Sequence, residues 1–154
     1  MGESERIADQ LHRAYAGHAW HGPALRQLLR GVSARQAAAR PLRNAHTIWE
    51  LVLHITAWTK AVRRRMQGKA LQLSPLENFP PMPAATPANW KSTLAALQAA
   101  QAELRRAVSA LPDSRLKRTV PGKPYSLYVM LHGLVQHDLY HAGQIALLKK
   151  MRRR

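Results

Sequence analysis

Two histidines four residues apart, His137 and His141, lie in the stretch QHDLYHAGQIALL, where a helix would otherwise carry its buried leucines. Imidazoles at i and i+4 leave a helix on the same side and can converge on one ion. With eight histidines in 154 residues, chance yields about 0.4 such pairs, so the weight rests on location rather than spacing. A buried ring without a partner costs on the order of 1–3 kcal/mol. The bland alternative is that each ring bonds a carbonyl or a side chain such as Gln136, Asp138 or Gln144. A metal site needs a third ligand, and spacing leaves it open. His54 falls inside an apolar stripe, three after Leu51 and four before Trp58, while His18 and His21 lie on the apolar row of the first helix.

Carboxylates that could orient such ligands are few. Glu50, one turn before His54, is a candidate for its second ring nitrogen, although a capping box with Thr47 is the simpler role. Asp138, three before His141, is another candidate, with a surface acid as the alternative. His21, Tyr140, His132 and Trp58 are candidates for acid, base or substrate contacts. His132, five before His137, lies about 140° around the helix and is expected to face elsewhere. Tyr128, Tyr140 and Trp58 also read as packing residues. The chain has no cysteine, which excludes thiolate ligands, disulfides and a cysteine nucleophile.

Proline divides the elements that must position these residues, because it is expelled from helix interiors. Five of the ten prolines crowd into SPLENFPPMPAATP, a linker of about twenty residues. The windows around it carry apolar residues at alternating steps of three and four, the pattern of amphipathic helices. The first row is Ile7, Leu11, Ala14, His18, His21, Leu25, Leu28 and Val32, with a break or kink at Gly22-Pro23. The second opens on the capping box Thr47-x-x-Glu50 and continues through Ile48, Leu51, Val52, Ile55, Trp58 and Val62. The third starts with Thr86 as cap and Pro87 in the first turn, then runs Trp90, Leu94, Leu97, Gln101, Leu104, Val108, Leu111. The fourth is capped by Ser126 and runs Leu127, Met130, Leu134, His137, His141, Gln144, Leu148, Met151. Ser33 with Gln36 marks a short helical turn between the first two. No strand alternation interrupts this pattern, so the expected fold is all-α, a four-helix bundle with inward-facing side chains forming any site. The linker exceeds the usual ~2–8 residues between bundle helices and allows a crossover that leaves the second and third helices parallel.

Length and 46% hydrophobic content fit one domain spanning residues 1–154. The opening MGESERIADQ lacks an apolar signal region, and no window approaches the ~18 apolar residues of a membrane span. A soluble, cytoplasmic protein with no membrane partner is therefore expected. Arg6 stands where a myristoylation signal wants Ser or Thr. The formal charge of +16 raises the question of nucleic acid. Only two basic runs stand out, Arg63-Arg64-Arg65 and the tail from Lys149 to Arg154. Scattered as the rest are, they read as a solvated surface, the tail complementing a helix C-terminus.

HTIWELVLHITAW, followed much later by MLHGLVQHDLYHAGQIALLKK, resembles the DinB-like (YfiT-like) superfamily of metal-binding four-helix bundles. AWHGPALRQLL and the Pro-rich segment also fit, so the resemblance spans nearly the whole chain. It implies an up-down-down-up bundle, with the Pro-rich crossover between helices 2 and 3, and a three-histidine site. Position by position it assigns the ligands to His54, His137 and His141. Three imidazoles leave a coordination position open, as in catalytic zinc sites, and suit a divalent ion such as zinc or nickel. Similar proteins include thiol-S-transferases, which implies a metal-dependent transferase or hydrolase acting on a small molecule with a low-molecular-weight thiol, possessing a homodimeric form. The competing readings are a basic helical nucleic-acid-binding module and a non-catalytic bundle, both with structural histidines. Gly143 and Gln144 are expected to serve close packing and hydrogen bonding beside the site.

Overall fold

The computed structural model describes residues 1–151, and among them the chain is all-helical with no strand. Four long helices, α1 (Glu3–Tyr15), α4 (Ile48–Met66), α6 (Pro87–Ser109) and α7 (Leu127–Lys150), are joined by three short ones. These are α2 (Leu25–Leu29), α3 (Ala34–Ala38) and α5 (Pro75–Asn78), and a 3-10 turn at Asp113–Lys117 precedes α7. The expected caps are in place: the hydroxyls of Ser33, Thr47, Thr86 and Ser126 accept from the backbone amides of Gln36, Glu50, Asn89 and Val129. Each satisfies an amide that a helix start leaves unpaired.

The first apolar row does not run through one helix. Ile7, Leu11, Ala14, Leu25 and Val32 are buried as their spacing requires, but α1 stops at Tyr15. Gly17 (φ 153°) and His18 (φ 64°) then take positive φ values that end a right-handed helix. The interruption thus begins before Gly22-Pro23, and the chain swings out far enough to leave Trp20 fully exposed. His18 and His21 are exposed with it.

Two apolar clusters hold the long helices together. One gathers Leu25, Trp49, Val52, Ile55, Leu97 and Ile145; the other gathers Ile7, Leu11, Leu104, Val108, Leu131 and Leu134. Between them along α4, α6 and α7 fall three buried polar residues, Thr59, Gln101 and Asp138. The Gln101 amide donates to Thr59 Oγ1 at 3.2 Å and to Asp138 Oδ2 at 2.8 Å. Trp49 Nε1 donates to Thr93 Oγ1 at 3.1 Å, and Arg63 lies 3.2 Å from Glu103.

The basic run at 63–65 is not a single surface. Arg63 pairs with Glu103, Arg64 is exposed and Arg65 is buried. In the C-terminal run Lys149 donates to the carbonyls of Leu28 and Arg30, while positions 152–154 lie outside the described residues. Among the described residues no helix is long and apolar enough to cross a membrane.

Candidate metal centre

α4 and α7 meet along the face that carries His54 on one and His137 and His141 on the other. The three rings form a group whose ligand atoms all lie within 4.8 Å of one another, an arrangement that could hold a metal ion. His54 and His141 are buried and His137 is partly buried. Their ring centroids are 4.5–4.9 Å apart.

The outer nitrogen of each ring faces an oxygen that can only accept. His54 Nδ1 donates to the Asn78 carbonyl at 2.7 Å, and His141 Nδ1 donates to Gln144 Oε1 at 2.6 Å. His137 Nδ1 lies 3.4 Å from Asp138 Oδ1. Those acceptors put the proton on Nδ1 and leave the Nε2 lone pairs turned inward. The Nε2 atoms of His54 and His137 are 3.0 Å apart. Two lone pairs at that distance repel unless a proton or a metal ion lies between them, and three inward-facing imidazole nitrogens are a donor set that fits a metal ion.

The surroundings favour the neutral form of His54 and His141, the form that binds metal. Burial pushes His54 down to about 4, the nearby His137 and His141 add to this, and the bond to Asn78 opposes it. His141 is lowered for the same first reason, against its bonds to Gln144 and the charge of Asp138. Asp138 is 1% exposed and bridges His137 to Gln101. Through it α6, which bears no histidine, reaches the site.

The family model described as DinB superfamily matches residues 9–145. The chain belongs to the DinB superfamily. No curated protein and no solved structure matches it.

In this DinB-superfamily chain the other sequence candidates are placed apart. Glu50 is the capping-box acid: its carboxylate accepts from the Thr47 amide at 2.7 Å and pairs with Arg40 and His46, so it does not reach His54. His18 and His21 are exposed on the loop between α1 and α2. His21 lines a hollow with Asp9, Arg13 and Trp20, separate from the three-histidine group. His132 faces Tyr128 and Glu3, as its angle around the helix predicts. Tyr140 is exposed, yet its ring lies edge-on to His141 at 5.1 Å. Trp58 is half-buried 6.0 Å from His137 and donates to the Asn78 side chain at 2.7 Å. Gln144 hydrogen-bonds beside the rings as expected. Gly143 does not serve close packing, for it is exposed and a Cβ there would meet nothing within 4 Å.

Asn78, Phe79 and Gln101 are the parts that sequence reasoning missed. The Pro-rich stretch read only as a linker, but Ser74-x-x-Glu77 within it is a capping box, and its first residue after the cap is Pro75. That signal starts α5, which packs against α4. Phe79 then stacks between His54 at 4.1 Å and His46 at 3.9 Å.

Proposed function

We propose that His54, His137 and His141 hold one divalent metal ion through their Nε2 atoms, zinc or nickel, in a single DinB-like domain. The observation that carries the reading is the convergence of three imidazoles whose outer nitrogens face Asn78, Asp138 and Gln144. The 3.0 Å approach of the His54 and His137 Nε2 atoms supports the same reading, since with both Nδ1 atoms protonated it turns two lone pairs toward one point. The up-down-down-up order, with the Pro-rich segment as the crossover, is part of the reading. Its support is that the α4–α6 pairs 49–93, 59–101 and 63–103 ascend together.

The activity proposed is a metal-dependent transferase or hydrolase acting on a small molecule, with a low-molecular-weight thiol as one partner. A divalent ion held there supplies a Lewis acid that lowers the pKa of a water or thiol. The chain's own residues orient the imidazoles and, through Phe79 and Trp58, exclude water from one side. A homodimer belongs to the same reading, supported by the exposed apolar row Val129, Tyr140 and Leu147 on α7, continued by its cap residue Met151. The nucleic-acid alternative loses support because the run at 63–65 is split between an ion pair, a free surface and the interior.

Element analysis of untagged protein purified without chelator tests the site. The expected result is one zinc or nickel per chain in wild type and none in His137→Ala. Wild type that stays metal-free after dialysis against either ion overturns it. Incubating the loaded protein with small electrophiles and a set of thiols, and following thiol consumption, tests the activity.

A further inference from the structure

Beside the histidines, α4 and α7 border a cavity of about 280 Å³, open to solvent, with largely apolar walls from Val62, Met130 and Leu134. His137 lines it, and so does Arg65. The Arg65 side chain is 3% exposed, which places a permanent charge in the interior, where charges ordinarily have a counter-ion. Among the described residues no carboxylate lies within ion-pair distance of it. Its partners are neutral: Nε and Nη2 donate to the Leu71 carbonyl at 3.0 and 2.8 Å, and Nη1 donates to the Tyr125 hydroxyl at 3.2 Å. Those bonds tie down the chain after α4 and engage three of the five N–H donors of a guanidinium. Its Cζ lies 5.3 Å from the centre of the Trp58 ring, the same ring that stands 6.0 Å from His137.

We infer that this cavity binds a small monocarboxylate, its carboxylate on the free N–H groups of Arg65 and its short apolar body along the wall toward His137. Arginine presents a planar fork that matches a carboxylate. Among the described residues Arg65 is the one Lys or Arg lining the cavity, so a dianionic phosphate would keep a charge unpaired against that side chain. The volume lies at the small end of ligand sites, about 300 Å³ and upward, which suits a molecule with few carbons. The inference rests on the proposed metal centre only for which end of the ligand reacts; the anionic end depends on Arg65.

Calorimetric titration of the full chain after chelator dialysis tests it, with hexanoate, hexanamide and hexyl phosphate as probes. Hexanoate is expected to bind about tenfold or more tightly than hexanamide, in keeping with a charge-assisted pair. Arg65→Gln is expected to abolish that preference. Should Arg65→Gln fail to fold, Gly133→Leu decides: Gly133 lines the cavity and a Cβ there meets nothing within 4 Å, so the leucine fills the space and hexanoate binding is lost. Equal binding of hexanoate and hexanamide, binding of neither, tighter binding of hexyl phosphate, or undiminished hexanoate binding in Gly133→Leu each overturns the inference. Metal uptake by the same samples is read separately, so loss of the metal reading with carboxylate binding intact, or the reverse, identifies which has failed.

Discussion

Two groups of histidines have the same standing in the sequence and opposite fates in the fold. His18 and His21 ride the apolar spacing of the first helix as regularly as His54 rides that of α4, yet the former are in solvent and the latter is 6% exposed against two other rings. The difference lies in backbone conformation. Gly17 and His18 turn to positive φ and end α1 before its row can carry a histidine inward, whereas nineteen residues from Ile48 to Met66 continue α4 unbroken. Periodicity describes a face only while the helix lasts.

Replacing one ring from each group separates them most strongly. His141→Ala is expected to weaken zinc or nickel binding by roughly a hundredfold or more, and His21→Ala to leave it unchanged, read by competition with a chromophoric chelator. Equal losses would abolish the distinction.

Acid offers the next test. His54 titrates at about 4 in the fold against 6.5 as its ordinary value, so as pH falls the unfolded chain takes up the proton first. Stability of the metal-free protein is full above pH 6.5 and declines as pH falls toward 4, by about 3 kcal/mol for His54. Urea unfolding at stepped pH should show this slope in wild type and a shallower one in His54→Ala.

Phe79→Ala probes the covering segment rather than the ligands. Loss of the stacked ring is worth about 1 kcal/mol, an approximately fivefold weaker metal affinity with helix content by circular dichroism unchanged. The smallest effect has the opposite sign. His18→Gly relieves a positive-φ conformation against the added entropy of glycine, so unfolding should be unchanged or stabilised by about 0.5 kcal/mol, with no change in metal binding.

The helices were legible because their signals are local: the caps at Thr47, Thr86 and Ser126 and the rows that follow them need only near neighbours in sequence. The paired rings on α7 were legible for the same reason. Choosing His54 over His18 and His21 took family resemblance, since the spacing of the rings was silent. The acceptors were harder still. The carbonyl facing His54 belongs to a residue 24 positions later, and the amide facing Asp138 comes from 37 positions earlier. A backbone oxygen has no residue type to recognise, and Gln101 reads as one polar residue in an apolar row. Arg65 was hidden inside a basic run whose three members turn to three different environments.

Asn78 touches the site twice: its carbonyl oxygen holds His54 and its side-chain oxygen holds Trp58, both at 2.7 Å. Its carbonyl plane and side-chain amide are joined by three rotatable bonds, all within one residue. A displacement of the Trp58 indole is therefore expected to tilt the His54 imidazole, through a linkage a single residue long. The wall of the cavity and the ring beside it thus share one residue as their anchor.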